Sequence, residues 1–297
     1  MKPFQLHQPA TQAEALALLA ECQQRGDDVH LMAGGTSLVL LMNLGLLQAT
    51  HIIALRNISE LHGIQSTPGG GLAIRPLATH RELELSPAVQ AYCPALAETF
   101  GHVATVRIRN QATLGGNLAH ADPAQDPPPM LIALDAQIVL TSQTGERSLP
   151  LEQFFVDYLT TTLQPGELLT EIRLPPLPAG TRATYQKFLP RTQDDYATVS
   201  VAATLRVDAD GRCADVRVAL GGAAGTPVHL REVEDALRGE KLTDQRIADA
   251  AARVPELVDP PDDARGSATY KRRMARVWTA RALHDLRDQP NGALPTP

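Results

Sequence analysis

The chain is short of sulfur, of excess positive charge and of long apolar runs. Its three cysteines, Cys22, Cys93 and Cys213, lie far apart with no C-x-x-C pair. They define neither a disulfide framework nor a zinc or iron–sulfur motif and read as unrelated structural thiols. Lys and Arg number 27 against 33 Asp and Glu, a formal net charge of −6. No stretch supplies the basic patch of a phosphate-backbone binder, so nucleic acid is not an expected partner. The most apolar stretch, Leu38 to Leu47, contains Asn43 and is half of the ~20 residues that a spanning helix needs. Membrane insertion is therefore not expected. The start, Met1-Lys2-Pro3-Phe4-Gln5, has no apolar signal region, and a cytoplasmic location is expected. Also missing are the Rossmann fingerprint, the P-loop and the G-x-S-x-G elbow, and the nine histidines are scattered. No residue of this chain is assigned a catalytic acid–base or nucleophilic role.

What remains is a well-supplied folded chain. With 297 residues, 43% hydrophobic and 20% charged, about two domains with proper cores are expected. Thr11 and Glu14 form a T-x-x-E capping box. The spacing of Ala15, Leu16, Leu18 and Leu19 predicts a helix that Gly26 ends. A strand over Val29 to Met32, a glycine turn, a helix over Leu38 to Asn43 and a strand over His51 to Leu55 make residues 1–56 an α/β unit. Strands follow over Gly71 to Thr79, Ala136 to Thr141 and Glu167 to Leu174. Prolines 175, 176 and 178 then mark a domain boundary. Beyond it, Tyr185 to Leu189, Val199 to Val207 and Ala214 to Leu220 read as an antiparallel sheet. Helices follow over Leu230 to Arg238, Arg246 to Val254 and Thr269 to Leu286. The fold class is α+β, with a first domain over 1–177 (subdomains about 1–56 and 57–177), a second over 181–287 and a frayed tail over 288–297.

Two glycine pairs stand among small polar residues: Gly34-Gly35-Thr36-Ser37 and Thr113-Leu114-Gly115-Gly116-Asn117. Such pairs let backbone N–H groups approach an anion closely, and hydroxyls add donors for phosphate oxygens. The helix after the first pair also aims its N-terminus at the turn, which favours negative charge. Either pair alone is equally an ordinary tight turn. His120 with Asp122 has the look of a metal pair, but two ligands are too few, and no metal is assigned.

The second pair belongs to the run Ile108-Arg109-Asn110-Gln111-Ala112-Thr113-Leu114-Gly115-Gly116-Asn117-Leu118-Ala119, followed by Ala121-Asp122-Pro123-Ala124-Gln125-Asp126. This resembles the flavin-binding medium subunit of molybdenum hydroxylases, the family of xanthine dehydrogenase and aerobic carbon monoxide dehydrogenase. The resemblance runs the length of the chain. It takes in the K-P-F start, Ala33 to Thr36, Gly166-Glu167-Leu168-Leu169, Arg191 with Asp194 to Ala197, Leu220-Gly221-Gly222 and Tyr270 to Arg273. It implies a two-subdomain FAD-binding fold of the vanillyl-alcohol-oxidase type, followed by a C-terminal domain of antiparallel sheet plus helices. It further implies that Ala33, Gly34, Gly35, Thr36 and Ser37 cradle the pyrophosphate of non-covalent FAD, with Thr113, Gly115, Gly116 and Asn117 as the second wall. Asp126 then matches the acid on the ribityl hydroxyls, Leu169 meets the isoalloxazine, Lys187 lies near the flavin and Tyr196 covers one ring face.

By the same resemblance, the molybdenum cofactor sits on a large partner subunit and the 2Fe–2S clusters on a small one, in a dimer of heterotrimers. Ser37 stands where many relatives carry Asp, and a hydroxyl still donates to phosphate. Asp126 to Leu134 holds no cysteine, which excludes the variant with an extra cluster there. Two alternatives stay open: a stand-alone FAD reductase or oxidase of the same fold, such as the reductase of peptidoglycan precursor synthesis, and a non-catalytic scaffold that has lost its flavin.

Overall fold

Thr11 starts the first helix by accepting the Glu14 amide at 3.2 Å. The Glu14 carboxylate accepts from the Ala10 amide, at 2.8 Å, so the predicted box closes one residue early. In this computed structural model, which describes residues 2–189, 192 and 194–289, helix α1 (Gln12–Arg25) buries Ala15, Leu16, Leu19 and Cys22. It ends at Gly26, whose φ of 75° returns its N–H to the last carbonyls. Strands β1 (Gln5–His7), β2 (Val29–Met32) and β3 (His51–Ala54) pair in parallel in the order β1-β3-β2. Parallel strands need crossovers, which α1 and α2 (Thr36–Asn43) supply.

The next unit is a five-stranded antiparallel sheet ordered β4-β5-β10-β6-β7. Its strands are β4 (Ile64–Ser66), β5 (Leu72–Ile74), β6 (Gln137–Ser142), β7 (Gly145–Pro150) and, after the short hairpin β8 (Phe155–Asp157) and β9 (Thr160–Thr161), β10 (Leu168–Leu174). The strand expected over Gly71 to Thr79 is confined to β5. Pro76 offers no N–H to a ladder, and Thr79 instead caps α3 (His80–Leu85) with a full capping box to Glu82. Between β5 and β6 the chain runs through six helices: α3, α4 (Pro87–Tyr92), α5 (Pro94–Gly101), α6 (Val106–Arg109), α7 (Leu114–His120) and α8 (Pro127–Ala133). Pro87, Pro94 and Pro127 stand in first turns, where their missing N–H costs nothing. These helices and the sheet enclose Leu72, Ile74, Leu96, Phe100, Leu118 and Ile138.

The last unit is an antiparallel sheet of β11 (Arg182–Phe188), β12 (Val199–Val207), β13 (Cys213–Gly221) and β14 (Val228–His229), in that order. The turn between β12 and β13 is pinned by Asp208, whose Oδ1 accepts the amides of Asp210 and Arg212 at 3.0 and 2.8 Å. Helices α9 (Arg231–Leu237), α10 (Asp244–Ala251), α11 (Val254–Leu257) and α12 (Ala268–Asp288) cover one face, with α12 across β11 and β12. Helix α8 packs on β12 and β13, bringing this sheet against the middle unit. Among the described residues no helix is long and apolar enough to cross a membrane. The tail residues 290–297 lie outside the described ones.

Candidate cofactor site

The two glycine pairs meet. Gly35, at φ 74°, turns the chain from β2 into α2 and leaves that helix without a side-chain cap. The first-turn amides of α2 are thus free for a ligand and carry the positive end of the helix dipole. Opposite, Thr113 begins α7 and accepts the Gly116 amide at 3.2 Å. Gln111 ties the walls together by donating from Nε2 to the Gly34 carbonyl at 2.8 Å. A Cβ on Gly34 would stand 2.0 Å from the Gln111 oxygen, and one on Gly115 2.4 Å from Pro76 Cβ. Those glycines are required by the packing of the walls. Gly116 differs: its Cβ would meet only Thr113 Oγ1 at 3.0 Å and Ala33 Cβ at 3.5 Å, in the gap between the pairs.

That gap opens into a cleft of about 530 Å³, within the range of small-molecule and cofactor sites. Ala33 to Ser37, Thr113, Gly115, Gly116, Asn117, Asp126, Leu169 and Tyr196 all line it. Lys187 does not. Its ammonium stands behind Asp126, 2% exposed, and donates to Asp126 Oδ2 at 3.0 Å and to the His102 carbonyl at 2.9 Å. No lysine or arginine among the described residues lines the cleft. An anion there would be met by amides and helix dipoles.

Several buried polar atoms on the wall lack any partner: Asn117 Oδ1, Gln125 Oε1 and both ring nitrogens of His80. A buried polar atom left unpaired costs about 1–3 kcal/mol, so these atoms suit the hydroxyl and N–H groups of a ligand. His80 is fully buried and stacks on Phe100 with ring centroids 5.8 Å apart. Burial, helped by the charge of Arg109, lowers its pKa to about 4, so it is neutral at pH 7. Sequence reasoning missed both His80 and Gln125. Gln125 was within reach, since it directly precedes Asp126 in the motif, whereas a lone histidine after a threonine carries no signal.

Asp126 stands before the Pro127-Pro128-Pro129 start of α8, 4% exposed. Its Oδ1 accepts the Tyr185 hydroxyl at 2.6 Å. Burial pushes its carboxyl above the usual range, while Lys187 and Tyr185 pull it back. Tyr185 was also missed, though it shares a strand face with Lys187 two residues on. Leu169 lies beside an irregularity in the β10–β6 pairing. Glu167, also on the wall, is held by Arg147 at 2.6 and 2.7 Å, and that hydrogen bonding keeps its pKa low. Tyr196 has the Arg265 guanidinium 5.6 Å over its ring. Arg191 lies outside the described residues. Asp122 Oδ1 accepts the Ala124 amide at 2.9 Å, which gives that side chain a turn-forming role beside His120.

Paired glycine walls, orphaned acceptors and a partly apolar lining fit a dinucleotide carrying a flat ring. Comparison with known proteins agrees. Residues 2–177 match the family described as the FAD binding domain in molybdopterin dehydrogenase. Residues 183–286 match the carbon monoxide dehydrogenase flavoprotein C-terminal domain. The carbon monoxide dehydrogenase medium chain of Hydrogenophaga pseudoflava is 36% identical over 281 residues, covering 95% of this chain and 96% of that one. Subunit alpha of the 6-hydroxypseudooxynicotine dehydrogenase complex of Paenarthrobacter nicotinovorans is 34% identical, covering 92% of each chain. Among solved structures, carbon monoxide dehydrogenase of H. pseudoflava superposes with a TM-score of 0.90 at 37% identity, over 96% of this chain and 98% of that one. Quinoline 2-oxidoreductase of Pseudomonas putida 86 gives 0.89 at 30%, over 99% of this chain and 100% of that one. The chain therefore belongs to the FAD-binding flavoprotein subunits of the molybdopterin dehydrogenases, a family of oxidoreductases, and carries both of their domains.

Proposed function

We propose that the chain is the electron-exit subunit of a multi-subunit molybdenum hydroxylase, with FAD held non-covalently in the cleft. When bound, FAD supplies two-electron transfer between the 2Fe–2S clusters of a small partner subunit and an external acceptor, while the substrate is hydroxylated at a molybdenum cofactor on a large partner. The amides of Gly34 to Ser37 bind the pyrophosphate. Thr113, Gly115, Gly116 and Asn117 form the second wall by close approach, the amides of Gly115 to Asn117 already donating to Pro76 and Thr113. Asn117, Gln125 and Asp126 offer acceptors to ribityl and ring donors. Leu169 and Tyr196 flank the ring and limit water, and Lys187 acts through Asp126 by holding its carboxylate. The assembly in this reading is a dimer of heterotrimers.

The observation that carries the proposal is the convergence of both glycine pairs on one cleft whose buried acceptors have no protein partner. The test begins with the absorbance spectrum of the purified chain and identification of the cofactor released by heat. About one FAD per chain is expected, together with capture of two partner chains from the native source and reduction of the bound flavin by substrate only in the full assembly. A colourless chain that takes up no added FAD would overturn it.

A further inference from the structure

The first subdomain gathers a second set of reactive side chains that the flavin site does not use. His7 ends β1, His51 opens β3, and Cys22 faces them from the last turns of α1. The parallel register pairs His7 with Ile53 and His51 with Gln5, so the two histidines are diagonal neighbours on one sheet face. Their rings stack with centroids 5.2 Å apart, and His7 Nε2 lies 2.9 Å from His51 Nδ1. The Cys22 sulfur completes a group whose ligand atoms all lie within 4.8 Å of one another. The far nitrogen of His51, Nε2, is 3.5 Å from Asp27 Oδ2.

We propose that His7 Nε2, His51 Nδ1 and Cys22 Sγ form a binding site for a divalent transition metal of the zinc class, with water in the fourth position. Tetrahedral bonds of ~2.0 Å to nitrogen and ~2.3 Å to sulfur separate ligand atoms by about 3.3–3.6 Å. Binding thus requires the two imidazoles, 2.9 Å apart, to part by a few tenths of an ångström, and the sulfur, within 4.8 Å of them, to close by up to about 1.3 Å. Mixed nitrogen and thiolate donors are the set that zinc favours. Asp27 is the second, independent feature. Its carboxylate lies 3.5 Å from the outer nitrogen of His51, and closing that contact to a hydrogen bond would hold the proton there and leave the inner lone pair for metal. A hydrogen-bonded histidine pair alone gives no reason for a thiol to converge on the same point.

The charges balance as well. Arg25 donates to Cys22 Sγ at 3.4 Å. The same guanidinium is held by Glu21 at 2.5 Å and Asp27 at 2.8 Å, whose carboxylates offset its repulsion of a cation. On binding, Cys22 loses its proton to solvent. His7, which donates from Nε2 to His51 when metal is absent, changes tautomer, its ring proton moving from Nε2 to Nδ1. One proton is released per metal, and no electron is transferred. The bound metal links β1, α1 and β3, and β3 pairs with β2, the strand that runs into the Gly34–Ser37 wall.

The test uses the full flavin-loaded chain, stripped with a chelator and titrated with Co2+ as the optical probe. Tetrahedral Co2+ bands beyond the red edge of the flavin spectrum are expected at one equivalent. Displacement by Zn2+ and release of one proton per metal should accompany them. Asp27→Asn should weaken Co2+ binding about 10- to 100-fold, and Cys22→Ser/His7→Gln should abolish the bands. Absence of red bands in the parent, or equal bands in the double variant, overturns the site. Should the double variant lose its flavin, Asp27→Asn still decides, because it keeps all three ligands. Unchanged Co2+ affinity there, with flavin retained, also overturns the proposal.

Discussion

Lys187 Nζ lies 3.0 Å from Asp126 Oδ2, with the two side chains 2% and 6% exposed. The pair joins β11 of the last sheet to the start of α8 at the wall of the cleft, so the two domains share a buried ion pair at the cofactor site. Tyr185, from the same face of β11, occupies the other carboxylate oxygen. Each oxygen retains a free lone pair, so Asp126 still has an acceptor for the cleft.

Removing one partner of a buried pair strands the other. Lys187→Met should destabilise the chain by about 3–5 kcal/mol, read from denaturant midpoints. Lys187→Met with Asp126→Asn should recover much of that loss, because a neutral amide needs no counter-charge. A single variant that unfolds at the parent's midpoint would show that the pair contributes nothing. In ligand binding, Asp126→Ala should weaken FAD and leave ADP little affected, as measured by fluorescence titration. Equal losses for both would count against a ribityl contact.

The glycines of the cradle should separate by mutation. Gly116→Val places a branched side chain in the gap between Ala33 and Thr113 and should abolish FAD retention with a near-parental fold. Gly34→Ala would put its Cβ 2.0 Å from the Gln111 oxygen and should lower expression and melting temperature whether or not FAD is added. Circular dichroism melts beside flavin content check both. A Gly116→Val chain that binds FAD like the parent would refute the assignment.

Much of the cleft was legible because its parts are local in sequence. A glycine pair with hydroxyls and a following helix marks an anion wall within a few residues. What sequence could not supply was the meeting of distant parts. His80 becomes a wall residue only because Thr79 caps α3 beside the Thr113 turn. The same limit explains the strand expected over Gly71 to Thr79: its apolar residues Leu77 and Ala78 are buried, yet Pro76 and the Thr79 cap redirect the backbone. Lys187, expected near the flavin, stands behind Asp126 and one residue back from the cleft, since the strand's two-residue period fixes its face but not what lies between it and the cleft. The cysteines showed no spacing motif, and Cys22 meets His7 and His51 only through the parallel register of the first sheet.

Stability should fall with acid through His80. Its folded pKa is about 4 against an ordinary 6.5, so between those values the unfolded chain binds more protons. The stabilisation is complete above about pH 6.5 and is lost as pH falls through about 4, a difference on the order of 3 kcal/mol. His80→Phe keeps a ring against Phe100 and removes both unpartnered nitrogens. Its melting temperature should therefore vary less with pH across that window. A parental slope in the variant would assign the acid sensitivity elsewhere.

Salt should affect FAD binding in an unusual direction. A site built from lysine and arginine loses affinity as salt rises, because screened charges attract the pyrophosphate less. Among the described residues no such side chain lines this cleft, and the chain as a whole carries a net charge of −6. Added salt therefore screens the repulsion between the protein and the anionic ligand on approach. The amides of Gly34 to Ser37 hold the bound phosphates at short range, where mobile ions have little access. Stopped-flow mixing of the flavin-free chain with FAD should show an association rate that rises with ionic strength and a dissociation rate that hardly changes. A steep loss of affinity with salt would mean that a basic side chain, rather than the backbone, carries the pyrophosphate.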